Sequence, residues 1–343
     1  MKTKSLFVQI MTLALILFCG CSGGQQKSSH EYAKTGSVDR YHPSLDKIIA
    51  PGELPEIIAE GFDWSEGPLW LSKQKMLIFS DIPQNSIYQW SEKDSLKLYL
   101  KPSGYTDSTP RGGESGSNGL LLNPEGKLTL CQHGARRMAV MEAPLNAPAP
   151  EFTIIVGKWN EKRFNSPNDA VFSAKGDLYF TDPAYGMEFG YKDPKREMNF
   201  TGVFKYSAEG EISLLTDQLS APNGIGLSPD QEKLYIANSG GGEKSFWMIY
   251  DFAEDGSLAN GKIFHDASVA SDSLRGAPDG LVVRNDGIIF ATGPGGVWVF
   301  TPEGENLGIV KTGQATSNCT LDSDDEYLYM TADMYLMRIK LVK

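Results

Sequence analysis

One unit recurs six times between Ser65 and Tyr329, and no other feature of the chain restricts its fold as severely. Each copy opens on a short polar or acidic residue beside Gly or Pro, runs into an apolar strand, turns through a Gly-containing or acidic loop and enters a second apolar strand. The copies are Ser65-Glu66-Gly67-Pro68 ahead of Met76–Phe79, Ser117-Asn118-Gly119 ahead of Leu128–Cys131, and Pro167-Asn168-Asp169 ahead of Leu178–Phe180. They continue with Pro222-Asn223-Gly224 ahead of Leu234–Ile236, Pro278-Asp279-Gly280 ahead of Ile288–Phe290, and Ser317-Asn318-Cys319 ahead of Tyr327–Tyr329. The anchors at 66, 118, 168, 223, 279 and 318 lie 52, 50, 55, 56 and 39 residues apart, close to the roughly 40–50 residues of a four-stranded propeller blade. Hairpin chemistry joins the paired strands, as at Asn123-Pro124-Glu125-Gly126 and Asn285-Asp286-Gly287. Alternating third strands follow at 86–90, 202–206, 247–250 and 296–300.

These units predict an all-β chain folded as a six-bladed β-propeller. The last copy ends after a third strand, 335–342, whereas Leu54–Ala59 is an apolar stretch with no blade of its own. The N-terminal strand is therefore expected to complete blade six and close the ring, sealing an otherwise open sheet edge. A pair of β-sandwiches leaves six matched units unexplained. A doubly wound α/β sheet fails for want of long helical periodicity.

Ahead of the repeats stands an export signal: Lys2 and Lys4, an apolar run from Leu6 to Phe18, then Cys19-Gly20-Cys21 and a polar string. The run falls short of the roughly 20 residues of a membrane span, and it resembles a bacterial lipoprotein signal, which implies a lipid anchor at Cys21 and a domain outside the cytoplasm, in the periplasm or at the cell surface. The expected organisation is residues 1–20 as signal, 21–50 as tether and N-terminal extension, and 51–343 as propeller. With 43 acidic against 32 basic side chains, the net charge of −11 disfavours a nucleic-acid partner, which wants a basic face. Beyond the signal only Cys131 and Cys319 remain. One disulfide or two buried thiols both fit their number, the second being commoner, and no metal-type Cys spacing exists.

Because the innermost strand of each blade starts at one end of the central channel, six residues in register point to one axial spot. They are Glu66, Asn118, Asn168, Asn223, Asp279 and Asn318, hard oxygen donors with neither thiol nor imidazole. Such a set describes a Ca²⁺ or Mg²⁺ site, and amide carbonyls favour Ca²⁺. Taken singly, Asn-Gly and Pro-Asn are ordinary turn formers; six in register ask for more.

The same stretches, with Phe79-Ser80-Asp81-Ile82-Pro83, Cys131-Gln132-His133-Gly134-Ala135-Arg136-Arg137, Phe180-Thr181-Asp182-Pro183 and Ala291-Thr292-Gly293-Pro294, resemble the senescence marker protein 30/gluconolactonase/luciferin-regenerating enzyme-like family, in particular its bacterial gluconolactonase branch. The resemblance implies a six-bladed propeller that hydrolyses a small-molecule sugar lactone with a divalent metal, Ca²⁺ foremost and Mg²⁺, Zn²⁺ or Mn²⁺ as alternatives. It implies Glu66, Asn223 and Asp279 as metal ligands, Asn168 as a ligand to metal or substrate, and Asp279 as general base. Vertebrate members carry Arg two residues before the Asn168 position, where this chain has Ser166. Substrate anchoring is then expected from Arg163 or Arg111, with Asn118 and His133 as further substrate contacts.

A serine triad is disfavoured, since the only Gly-x-Ser-x-Gly-like string lies in the signal and tether, and the chain has four histidines. His133, on a Gly-bounded loop, is a candidate substrate ligand or proton shuttle, or else a structural histidine. Asp81 and Asp182 are expected to cap turns, the aromatic residues to pack between blades, and the long connections 101–116 and 187–199 to act as lids. A non-enzymatic reading uses the same ring: a structural axial Ca²⁺ in a propeller whose rim binds a protein or glycan.

Overall fold

The computed structural model describes residues 31–240 and 244–343. The export signal, Cys21 and most of the 240–242 glycine run lie outside the described residues. Six antiparallel sheets form the blades. Blade I comprises Ser65–Leu71, Met76–Asp81, Ser86–Ser91 and Ser95–Leu100. Blade II comprises Leu120–Leu122, Leu128–Gln132, Arg137–Met141 and Phe152–Val156, and blade III Ala170–Phe172, Leu178–Asp182, Gly202–Tyr206 and Ile212–Thr216. Blade IV is built from Pro222–Leu227, Lys233–Ser239, Ser245–Phe252 and Leu258–Asp266, and blade V from Leu281–Val283, Ile289–Gly293, Gly296–Phe300 and Asn306–Lys311. The first strand of each blade touches the first strand of the next, and that of blade VI, Thr316–Leu321, returns to blade I. The ring is closed.

Closure follows the expected route. Blade VI continues through Tyr327–Ala332 and Tyr335–Lys340, and its fourth strand is the N-terminal Glu56–Glu60, with Leu336 opposite Ala59 and Arg338 opposite Glu56. The boundary at residue 51 is a different matter, because the compact unit begins at Tyr32. Ala33–Lys34 pairs with Glu56 and Ile57, adding a fifth strand to blade VI, and Ser37–Arg40 pairs with Asn306–Lys311 to add one to blade V. Between them a 3₁₀ turn, Pro43–Lys47, leads Leu45, Ile48 and Ile49 into the core between these two blades. Burying each such side chain contributes about 1.5–3 kcal/mol, which is why residues 32–50 are part of the propeller and not a tether ahead of it.

Alternation on the twisted strands turns large side chains toward neighbouring blades. Trp70 of blade I stacks on Tyr329 of blade VI at 5.5 Å, Trp247 of blade IV meets Trp298 of blade V at 5.5 Å, and Tyr179 of blade III meets Phe252 of blade IV at 5.4 Å. The aromatic residues thus do the packing expected of them. Cys131 and Cys319 are both buried and unpaired. No helix among the described residues is long and apolar enough to cross a membrane.

Candidate functional site

The anchors reach the axis through a repeated stitch. In each of several blades the anchor's own amide bonds to the second strand, and the next residue's amide bonds across to the neighbouring blade. Asn118 N donates to Cys131 O at 2.9 Å and Gly119 N to Asn168 O at 2.8 Å; Asp279 N donates to Thr292 O at 3.0 Å, and Gly224 N to Asp279 O at 3.1 Å. Glycine follows Glu66 and Asn223 because a Cβ there would overlap the Asn118 and Asp279 carbonyls. Register shifts break the ladder just after Glu66, which still pairs with Ser80, and across Asn223, between Pro222 and Ile225, where the inner strands reach the channel.

Second-strand residues hold the approach to each inner strand. Asp182 accepts from the Asn165 and Ser166 amides at 2.7 and 2.8 Å, and Asp81 accepts from those of Asp63 and Trp64 at 3.3 and 3.2 Å. Both carboxylates cap turns, as their positions predicted. Burial pushes Asp182 up to about 7 even though these amides pull the other way. Ser80 and Thr181 donate to the carbonyls of Asn118 and Asn223 at 2.8 and 2.7 Å. This hydroxyl set escaped the sequence pattern.

Glu66, Asn118, Asn168, Asn223 and Asp279 line one axial cavity of about 310 Å³. Asn318 does not join them. Its Oδ1 accepts from Cys319 N at 2.8 Å and its Nδ2 donates to Asp169 Oδ2 at 3.4 Å, while its amide also bonds to the Glu66 side chain, so it stands behind Glu66 and lines the cavity at the other end of the channel. The cavity wall is completed by Trp64, Ile82, Glu114, Tyr185, Ser239, Gly276, Ala277, Ala315 and Thr316. Among the lining residues there is no Lys, Arg or His.

Crowded carboxylates with no basic side chain beside them dominate its electrostatics. Burial, then the charges of Glu66, Asp169 and Glu114, raises Asp279 well above the usual carboxylate range. Glu66 is raised too, by burial first, against the pull of the Gly67 amide, which donates to Oε2 at 2.9 Å. Asp279 Oδ1 and Asn118 Oδ1 are buried acceptors with no hydrogen-bond partner, a costly state unless something else supplies positive charge. Among the described residues no three His, Cys, Asp or Glu side chains group as a metal site. The donors here are instead two carboxylates with three amides. That set fits a hard divalent cation, Ca²⁺ best.

Three expected contacts, Arg163, Arg111 and His133, are placed elsewhere. Arg163 is exposed on a small hairpin, its Nη2 donating to Ala135 O at 3.1 Å, and it lines a neighbouring cavity of about 140 Å³ with Arg111 and Arg136. Arg111 spends its guanidinium on the carbonyls of Gly112, Gly134 and Gly186. His133 is fully buried behind the cavity wall. Of the expected lids, 101–116 brings Glu114 to the cavity, whereas Tyr185, two residues ahead of 187–199, is the wall residue on the other side. Glu114 sits in Gly112-Gly113-Glu114-Ser115-Gly116, and its only signal was an acid among glycines in a long loop. A larger cleft of about 850 Å³ opens at the hairpin-turn end between blades IV and V, but none of its lining side chains is among the buried polar groups left unpaired.

Comparison with known proteins bears on this geometry. Residues 64–333 match the model of the SMP-30/gluconolactonase/LRE-like region. A gluconolactonase of Zymomonas mobilis is 35% identical over 320 residues, 92% of this chain and 88% of the relative. A solved gluconolactonase from Xanthomonas campestris superposes with a TM-score of 0.75 at 26% identity, covering 90% of this chain and 96% of that one. A calcium-binding regucalcin from Agrobacterium tumefaciens shares the fold, with a TM-score of 0.63 at 15% identity and coverage of 84% and 95%.

Proposed function

The chain belongs to the SMP-30/gluconolactonase/LRE-like family, and from that premise we propose that it hydrolyses a sugar lactone in the axial cavity with the help of a divalent cation, Ca²⁺ foremost, held by Glu66, Asn168, Asn223 and Asp279. The observation that carries this reading is the pair of unpartnered acceptors, Asp279 Oδ1 and Asn118 Oδ1, in a cavity lined by three carboxylates and no basic side chain. When bound, the cation polarises the lactone carbonyl, offsets the charge that grows on its oxygen and keeps Glu66 and Asp279 ionised.

The remaining work falls to the chain. Asp279 is fixed through its main chain by Thr292 and Gly224 and through its side chain by a hydrogen bond with Asn223. Its free Oδ1 accepts the proton of the attacking water. Asn118 and Asn168 supply amide groups to the substrate, and Tyr185, hydrogen-bonded to Ser239, which itself donates to Pro278 O, forms a braced part of the wall. Trp64, Ile82, Ala277 and Ala315 form an apolar wall that limits water to the attacking position. Residues 1–21 are proposed to export the protein and leave it anchored by lipid at Cys21; Cys21→Ser should move it from the membrane to the soluble fraction of cells.

The test is a pH-indicator assay with glucono-1,5-lactone, corrected for spontaneous opening. It is run on metal-stripped protein and again with Ca²⁺, Mg²⁺, Zn²⁺ or Mn²⁺. Metal-restored turnover is expected. No turnover on this and a panel of aldonolactones, with Ca²⁺ still bound, would leave a propeller whose axial ion is structural.

A further inference from the structure

His133 does not reach the axial cavity, yet it is tied to a residue that does. Its Nδ1 lies 3.1 Å from the Pro167 carbonyl oxygen. A carbonyl only accepts, so Nδ1 carries the hydrogen. Nε2 is buried with no aligned hydrogen-bond partner, and Glu114 Oε2 stands 3.0 Å away. A neutral ring with its hydrogen on Nδ1 would turn a lone pair toward a carboxylate at that distance. One proton between Nε2 and Oε2 removes the conflict, and a small rotation of the partly exposed Glu114 side chain aligns it.

The surroundings hold this pair in place. A Cβ on Gly186 would overlap the His133 ring, so the Gly186 backbone packs directly against it. That backbone is fastened in turn, since Gly186 N donates to Ser166 Oγ at 3.0 Å and Gly186 O accepts from Arg111 Nη2 at 2.6 Å. On the other side Gly134 N donates to Gly116 O at 3.0 Å and Gly116 N to Ile82 O at 2.9 Å. Glu114 thus enters the cavity from a braced loop, among Glu66, Asn118 and Asp279.

We propose that Glu114, oriented by His133, is the general acid of the hydrolysis: it gives the shared proton to the ring oxygen of the lactone as that oxygen departs. The inference rests on the hydrolytic reading above. The water oxygen forms a bond to the acyl carbon while its proton passes to Asp279. The bond from the acyl carbon to the ring oxygen breaks, its electron pair stays on the oxygen, and the proton from Glu114 neutralises it. Glu114 then regains a proton from solvent and Asp279 releases one, so lactone and water become hydroxy acid. Glu114 is a catalytic residue in this scheme and His133 a positioning residue.

A sugar alkoxide leaves poorly without a proton, whereas a phenoxide, with a conjugate acid of pKa about 10, leaves unaided. The full-length protein with Ca²⁺ is therefore compared on glucono-1,5-lactone and on a phenoxide-releasing substrate, dihydrocoumarin or phenyl acetate. Glu114→Gln should lower kcat on the sugar lactone by about 10²- to 10³-fold, with KM within about threefold, and on the phenoxide substrate by less than about tenfold. Glu114→Asp should recover part of the loss. His133→Gln should show the same split between substrates in weaker form. An equal loss on both substrates, or a rise in KM alone, would overturn the assignment while leaving the lactonase standing. Absence of wild-type turnover on either would overturn both. Nitrogen-15 NMR of the imidazoles, with His133 identified by His133→Gln, supplies a reading that needs no turnover: Nδ1 should be protonated and the Nε2 signal should move in Glu114→Gln. A ring protonated on Nε2 alone, and indifferent to that substitution, would sink the pair.

Discussion

At one end of the central channel Asp279 keeps an oxygen with no donor, and Asn118 does the same. At the other end Asp169 has its oxygens occupied, Oδ1 by the Ala170 amide at 2.8 Å and Oδ2 by Asn318 Nδ2 at 3.4 Å. Burial raises both acids, but Asp169 only to about 6, because Ala170, Asn318 and Ile225 donate to it. Most other side chains at the second end are apolar, around a cavity of about 210 Å³ among Leu69, Leu120, Val171, Leu227 and Leu281, with Thr320 also in its wall. A carboxylate that serves the fold is given donors by the fold. One left without them is waiting for charge from outside.

Substitutions at the two ends should therefore have unequal effects. Asp279→Ala is expected to cost the most: turnover on an aldonolactone at saturating Ca²⁺ falls by at least about 10³-fold, since the proposed mechanism asks one side chain to serve as both ligand and base. An active, metal-replete variant would remove Asp279 from the mechanism. Next comes the coupling of metal and pH. Glu66 and Asp279 are raised in the folded chain, so their share of stability is complete below the unfolded values of 4.5 and 3.8 and is lost as pH rises through the folded value, about 8 for Glu66. The gain in Tm on adding Ca²⁺ to chelator-treated protein should accordingly grow between about pH 4.5 and pH 8. A gain that is flat or shrinks across this window would mean that the cation does not meet these carboxylates.

Asp169→Asn sharpens the contrast further. Turnover should stay within about tenfold of wild type, because the substitution keeps an acceptor for Ala170 and reaches the axial carboxylates only through its charge and through Asn318. A loss as deep as that of Asp279→Ala would show that the two ends act as one site. The smallest effect is expected of Arg163→Ala: kcat/KM within about threefold, as befits an exposed side chain outside the cavity. A tenfold rise in KM would restore it as a substrate anchor.

The ring of anchors was legible because strand period and blade repeat are local. Each anchor precedes or lies near the start of an inner strand, and the glycine after four of the six records a close approach to the neighbouring blade. The sixth anchor's visible mark is its spacing, since the interval before it shortens to 39 residues; the absence of a following glycine does not distinguish it, because Asn168 is followed by Asp169 and still lines the cavity. His133 and Arg163 were drawn toward the cavity by their place in the sequence, yet both are bound to carbonyls outside it. Glu114 carried no periodic signal at all, since it comes from a loop whose course is decided by Ile82, Gly134 and Gly186 on other segments.

From the amino-acid sequence alone come the blade count, the strand that closes the ring and the donor types gathered at the axis, because alternation and repeat length act within a few tens of residues. Only the folded ring decides which of those donors are left unpaired, which end of the channel Asn318 faces and which glutamate stands before His133. Those outcomes depend on contacts between blades and loops far apart in the chain, where the burial of one side chain is settled by the backbone of another.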